Sequence, residues 1–378
     1  MTGSGQLKRR AAGRIFTILT ACCFAIMAAG LAARDAAGQD PAAGAAARHY
    51  QARPENQVQC RLCPRECLIP AGGSGYCTVR RNENGRLRSL VYGQACSLNL
   101  DPVEKKPLYH FLPGTQTLSM AAIGCNLRCS FCQNYSISMA RPGEVESLPL
   151  RPERLAALAR EKSAPSISYT YSEPTAYYEY LYDSAALARK AGIRNVWVTC
   201  GYINPEPLEE LCGVLDAANV DLKGFSDGVY RRVAGAKLAP VLATLATLKR
   251  KGVWLEVGYL VIPTLNDGPK ELADFCAWTV KNLGPETPVH FLRFFPRYQM
   301  TNLPATPVAT LERACQAARA AGSQFVYIGN VPGHRANHTY CPGCETLLIE
   351  RKGYFIQQNH LKNGRCPKCG RKIPGVWS

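Results

Sequence analysis

The stretch SMAAIGCNLRCSFCQNYSIS, residues 119–138, sets Cys125, Cys129 and Cys132 directly after a short apolar run. A C-x3-C-x2-C spacing folds three thiolates onto one tight loop, one fewer than the four that fill an iron–sulfur cube. A cube held this way keeps one iron open to a further ligand, which suits chemistry better than a structural staple. Gly124 offers a backbone able to turn ahead of the first cysteine, and Phe131 stands just before the last. Short cysteine triplets also occur in zinc sites and ferredoxin-like loops, so the flanking sequence has to decide.

Outward from the loop, short β-rich runs alternate with helical patterns. Strands are expected at 118–122, 166–170, 195–199, 220–223, 253–262, 289–294 and 324–328. Helices are expected at 151–160, 175–190, 205–217, 241–251, 269–283 and 307–321. Six strand–helix repeats predict an α/β fold, a partial (β/α)6 barrel over 116–330. A Rossmann sheet is the alternative, but no G-x-G-x-x-G follows the first strand.

In a parallel barrel the reactive residues belong at the carboxyl ends of the strands, and polar signals fall there. Tyr171, Ser172 and Glu173 follow the second strand, Thr199 ends the third, and Asp221 and Lys223 end the fourth. Asp221 and Lys223, two apart on a strand, share one face; a buried ion pair is the plain alternative for Lys223. Asn266 and Asp267 follow the fifth strand as helix-capping or cofactor-contacting residues. His290 and Arg293 flank the sixth.

On its CNLRCSFCQN loop the chain resembles the radical SAM superfamily. CxxCPRxC at 60–67, YSEPT at 171–175, HFLRFFPRYQM at 290–300 and YIGNVPG at 327–333 narrow the resemblance to the AmmeMemoRadiSam system radical SAM enzymes, relatives of the pyruvate formate-lyase activating enzymes. The resemblance implies a [4Fe–4S] cluster on Cys125, Cys129 and Cys132, with S-adenosylmethionine on its open iron. Reductive cleavage would give a 5′-deoxyadenosyl radical for hydrogen abstraction, from a partner-protein glycine in the activating-enzyme manner. Tyr171, Ser172 and Glu173 occupy the place of a glycine-rich GGE segment that contacts the cofactor amino group. Asp221-Leu222-Lys223 resembles the DLK segment of glycyl-radical activating enzymes, which puts Asp221 on a polar part of the cofactor and Lys223 on its carboxylate. Thr199 and His290 complete the implied cofactor set. Implied partners are a reductant such as flavodoxin or ferredoxin, a protein substrate, and Memo-like and Ammecr-domain proteins through gene association. Rival readings are radical modification of RNA or a small molecule, and a non-catalytic iron–sulfur electron-transfer protein.

The chain has 18 cysteines in 378 residues. Two further groups flank the central one. Cys60, Cys63, Cys67 and Cys77, in a module at 60–115, have soft-ligand spacing for zinc or an auxiliary iron–sulfur cluster, with Cys96 nearby as a substitute ligand or a buried thiol. Cys341, Cys344, Cys366 and Cys369, in a module at 331–378, make two C-x2-C knuckles around a strand-like segment, which is zinc-ribbon grammar; His334, His338 and His360 are spare donors. Such tight groups argue for metals in a reducing setting over a disulfide framework. Residues 80–91 read as a hairpin around Asn84-Gly85.

The formal charge of +17 invites a nucleic-acid reading, which its distribution weakens. Seven Lys or Arg crowd the first 53 residues and eight follow Val331. Bound clusters and thiolates add negative charge that a formal count omits. Over 1–59, a basic start and a charge-free run at 15–33 look like a signal peptide or membrane anchor, within residues 8–34. That conflicts with a catalytic body expected in the cytoplasm, where its cofactor is made.

Overall fold

Residues 44–378 are described by the computed structural model. Eight strands form its central sheet: β1 (Ser97–Pro102), β2 (Gln116–Ala121), β3 (Ser166–Tyr169), β4 (Arg194–Thr199), β5 (Ala217–Leu222), β6 (Trp254–Val261), β7 (Val289–Arg293) and β8 (Val326–Gly329). They lie side by side in chain order. Strands β2 to β8 run parallel and β1 joins β2 antiparallel, Ser97 facing Ala121. An order without reversal has no switch point, which excludes the Rossmann alternative.

Apolar runs of this kind are what a parallel sheet covered on both faces requires; every residue of β3 is buried, and β5 is buried except at Asp221. The crossovers carry helices α1 (Pro152–Glu161), α2 (Tyr178–Lys190), α3 (Pro205–Cys212), α4 (Asp227–Ala234), α5 (Leu238–Arg250), α6 (Pro269–Leu283) and α7 (Val308–Ala320). Three open on a proline in the first turn, where a missing N–H costs nothing.

Several boundaries differ from the sequence reading, among them those between β4 and β6. Helix α3 stops at Cys212, before Gly213, and the chain enters β5 at Ala217, so the strand starts three residues earlier than expected. Helix α4 was not anticipated. The Ser226 side chain accepts from the Val229 N–H at its start, and Gly235 closes it in the left-handed region at φ 61°.

Ahead of the sheet lie short antiparallel pairs: Tyr50–Ala52 on Val58–Cys60 on Leu68–Ile69, and the hairpin Arg80–Glu83 with Arg86–Ser89. Asn84 and Gly85 both take positive φ, as a two-residue hairpin turn demands. After the sheet come β9 (Thr339–Tyr340), β10 (Leu347–Lys352) and β11 (Phe355–Asn359), an antiparallel ribbon. Its fully buried Arg351 donates to the Tyr109 carbonyl at 2.8 Å and to the Thr339 hydroxyl at 2.8 Å, and stands 3.7 Å from Glu104. Residues 44–378 thus fold as one compact unit.

The membrane-anchor expectation is corrected. Among the described residues no helix is long and apolar enough to cross a membrane, and residues 8–34 lie outside them.

Candidate functional site

The loop with Cys125, Cys129 and Cys132 leaves the carboxyl end of β2 and is pinned by its backbone. The N–H groups of Arg128 and Ser130 donate to the carbonyls of Ala234 and Val233, each at 3.0 Å. The last carbonyls of α4, which have no partner within the helix, therefore hold the cysteine loop. Asn126 donates to the Tyr202 carbonyl at 2.7 Å, fixing the loop from the far side. Gly124 sits at φ 97°, and a Cβ there would stand 2.8 Å from Val79 and 2.9 Å from the Cys77 carbonyl. Only glycine fits.

All three thiols line one cavity of about 450 Å³ at the carboxyl ends of the strands. Burial raises the Cys125 thiol well above its usual range and pushes Cys129 up to about 12, the Lys223 ammonium pulling the other way. Thiols raised this far ionise only against a bound cation.

Of the residues singled out from sequence, Tyr171, Ser172, Glu173, Thr199, Asp221 and Lys223 line the same cavity. Glu173 is 3% exposed and its carboxylate is already used. One oxygen accepts from the Thr175 N–H (3.0 Å) and hydroxyl (2.6 Å) and the Thr199 hydroxyl (2.7 Å); the other accepts from the Cys200 N–H (2.8 Å). It ties the end of β3 to the end of β4. Ser172 donates to the Ala122 carbonyl, and the Tyr171 carbonyl, in a residue at φ 66°, accepts from Asn134 at 2.8 Å.

Lys223 lies 2.5 Å from Asp221 Oδ2. Burial alone would lower this lysine, but the Asp221 carboxylate and Cys129 hold its proton above the ordinary range. The second oxygen, Asp221 Oδ1, is buried without a partner. A pair satisfied on one side only leaves an acceptor free for a polar ligand.

His290 is kept out of the cavity. It is 1% exposed, near the amino end of β7, with Nε2 2.7 Å from Glu256 Oε2. Glu256 also accepts from the N–H groups of Tyr109 (2.9 Å) and His110 (2.7 Å). That cluster closes the other end of the sheet, because the period of two that turns Lys223 toward the cavity says nothing about which strand end a residue occupies. Asn266 and Asp267 staple the turn after β6, through the N–H groups of Ile262 (2.6 Å) and Thr264 (2.9 Å). Arg293 donates to the Thr306 carbonyl.

Sequence reading missed the stretch of cavity wall formed by Lys105 and Lys106, and Asp101 bonded to them. Asp101 accepts from Lys105 at 2.8 Å, from Lys106 at 2.6 Å and from the Tyr171 hydroxyl. Burial works against the Asp101 charge, yet these three donors hold its carboxyl well below the usual range. Burial lowers Lys106 to about 8 despite that carboxylate. The lysine doublet ahead of β2 was the available signal. Tyr354, at the turn between β10 and β11, also reaches the cavity.

Of the other cysteine groups, the tail four are placed so that they could hold a metal ion. Their sulfurs all lie within 4.8 Å of one another, with Cys341 to Cys369 at 3.5 Å and Cys344 to Cys366 at 3.6 Å. Cys60, Cys63, Cys67 and Cys77 line a common cavity with Arg65 and Arg80.

The Radical SAM superfamily pattern matches residues 122–276. MJ0808, a protein of Methanocaldococcus jannaschii, is 46% identical over 329 residues, covering 86% of this chain and 98% of that one. The pyruvate formate-lyase-activating enzyme of Clostridium pasteurianum is 26% identical over 50% of this chain and 82% of its own length. Among solved structures, a radical SAM methyltransferase from Sphaerobacter thermophilus is similar at TM-score 0.47 and 18% identity, over 58% of this chain and 68% of that one.

Proposed function

The chain belongs to the radical SAM superfamily and is an enzyme of it, and from that premise we propose that it generates a radical from S-adenosylmethionine and takes a hydrogen atom from a glycine of a partner protein. The observation that carries this is one cavity lined by the three loop thiols, Cys129 buried and Cys125 and Cys132 half-buried, and by Asp221, whose Oδ1 has no partner. The donor set fits the group: Cys125, Cys129 and Cys132 would hold a [4Fe–4S] cluster and leave one iron for the cofactor. When bound, that cluster supplies the electron that cleaves S-adenosylmethionine to methionine and a 5′-deoxyadenosyl radical.

The remaining work falls to the chain's own residues. Asp221 Oδ1 accepts from a donor on the cofactor, while Lys223, its charge maintained by Asp221, offers the remaining N–H bonds to an anionic group. Glu173 acts by position, fixing the backbone of 171–173 and of Cys200 around the cofactor. Lys105 and Lys106 keep the cavity mouth cationic. A protein as substrate is supported by the Clostridium relative, whose name is that of an activating enzyme for pyruvate formate-lyase. The tail four hold zinc in this reading, since a Zn–S bond of 2.3 Å sets sulfurs about 3.8 Å apart in a tetrahedron.

The test is anaerobic reconstitution, reduction with dithionite and assay of 5′-deoxyadenosine. Wild type should release it and Cys129→Ala should not; undiminished release by C129A overturns the reading. Lys223→Met keeps the stem and deletes the charge, and should lower cofactor affinity or cleavage roughly tenfold with iron content unchanged. An unaltered K223M makes Lys223 a structural partner of Asp221 only.

A further inference from the structure

We propose that Cys60, Cys63, Cys67 and Cys77 hold a second [4Fe–4S] cluster, separate from the one on the central loop, and that zinc does not occupy this site. All four are free thiols, and all four line one cavity. The local fold brings them there. The Cys60 N–H donates to the Cys67 carbonyl at 2.9 Å, doubling the chain back on itself, and the Glu66 N–H closes a turn on the Cys63 carbonyl at 3.0 Å. The Tyr76 N–H then donates to the Cys67 sulfur at 3.4 Å, which delivers Cys77 to the group.

Separation of the sulfurs chooses the metal. A zinc tetrahedron needs sulfurs about 3.8 Å apart, and the tail group already has them within 4.8 Å. Among the described residues no other group of three or more ligands meets that limit, so no three of these four cysteines do. A cube with one thiolate on each corner iron spreads its ligands wider than a single ion can.

Charge points the same way. Arg80 is 2% exposed. Its terminal nitrogens are taken by Glu179, at 2.9 and 3.0 Å, and by the Arg48 carbonyl at 2.5 Å, yet its buried Nε has no partner. Arg65 Nη2 is likewise buried and unpartnered. Both arginines line the four-cysteine cavity. Buried N–H groups are almost always satisfied, and a thiolate-bound cluster supplies anionic sulfur acceptors for them.

With a cysteine on every corner, this centre has no open iron and cannot chelate a cofactor. It rests directly against the central loop. The Cys77 carbonyl fills the space that a Cβ on Gly124 would take, and Asn126, next to Cys125, lines the four-cysteine cavity.

The experiment uses the full chain with Cys125, Cys129 and Cys132 all changed to Ala, so it does not depend on the radical reading. After anaerobic reconstitution with ferrous iron and sulfide, the triple variant should retain about four irons and four sulfides and about one zinc. Its reduced cluster should give a paramagnetic signal that S-adenosylmethionine leaves unchanged. Loss of all iron, with about two zincs bound, overturns the proposal. Adding Cys63→Ser to the triple variant should remove the iron while the far-ultraviolet circular dichroism and tail zinc persist; iron surviving that change also overturns it.

Discussion

The two four-cysteine sites share a ligand set and differ in how the backbone spends it. The tail site joins two knuckles separated by 21 residues, and each turns tightly: the Cys341 N–H on the Thr346 carbonyl and the Cys366 N–H on the Arg371 carbonyl, both at 2.9 Å. Its sulfurs meet at 3.5 and 3.6 Å. The amino-terminal site draws all its cysteines from 18 consecutive residues, yet keeps its sulfurs farther apart. Closeness in sequence is therefore no measure of closeness in space. Two facing knuckles converge on a point, whereas a strand pair with a loop encloses a volume.

That contrast breaks most visibly on ligand removal. Cys366→Ser should lose about one zinc, expose the end of the chain to protease and keep its iron. Cys63→Ser should do the reverse, losing about four irons with zinc retained. Metal analysis and limited proteolysis read both, and matched losses in either variant would mean one shared site.

A smaller effect tests the tail alone. The Thr346 hydroxyl leads the groups that lower the Cys344 thiol to about 6. Thr346→Val should weaken zinc retention against a competing chelator roughly tenfold and leave iron content untouched. Arg80→Lys probes the other site. It keeps a cation for Glu179 but deletes the Nε–H, so the reduction potential of the amino-terminal cluster should move to more negative values. An unmoved potential in the triple-alanine background would detach Arg80 from the cluster.

The smallest effect concerns how the ribbon docks. Burial raises Glu104 to about 7 although Arg351 opposes the shift. Between the unfolded carboxyl range and pH 7 the folded chain holds a proton that the unfolded chain has released, so stability falls as pH rises through that window. Glu104→Gln should melt above wild type at pH 8, with the difference closing toward pH 4.5. A difference independent of pH would assign the docking energy to packing.

Apart from α4, the strands and helices from β3 through α7 were legible because the strands are largely buried runs and the crossover helices carry an apolar face. The cavity was legible as strand ends: Tyr171, Glu173, Thr199, Asp221 and Lys223 meet there. What sequence could not give was partnership. Glu173 reads as a cofactor ligand but is consumed by four local donors, and His290 reads as a site residue but belongs to Glu256 at the far end of the sheet. Asp101 and the Lys105-Lys106 doublet carry no period or motif, and only the antiparallel β1, pairing across β2, brings them to Tyr171. Helix α4, eight residues long like α3, was missed although Ser226 and Gly235 mark its two ends.

Tyr354 gives the ribbon an economic meaning for the cell. It lines the three-cysteine cavity from the tip of a hairpin whose base is gathered by Cys341, Cys344, Cys366 and Cys369. With the metals proposed above, two nutrient supplies would converge on one pocket: iron and sulfide at its floor, and zinc at the base of its rim. In a cell with ample iron but scarce zinc, a chain that carries the proposed metals would keep its cluster and lose the shape of its pocket, so zinc limitation would register as a defect in iron-dependent work.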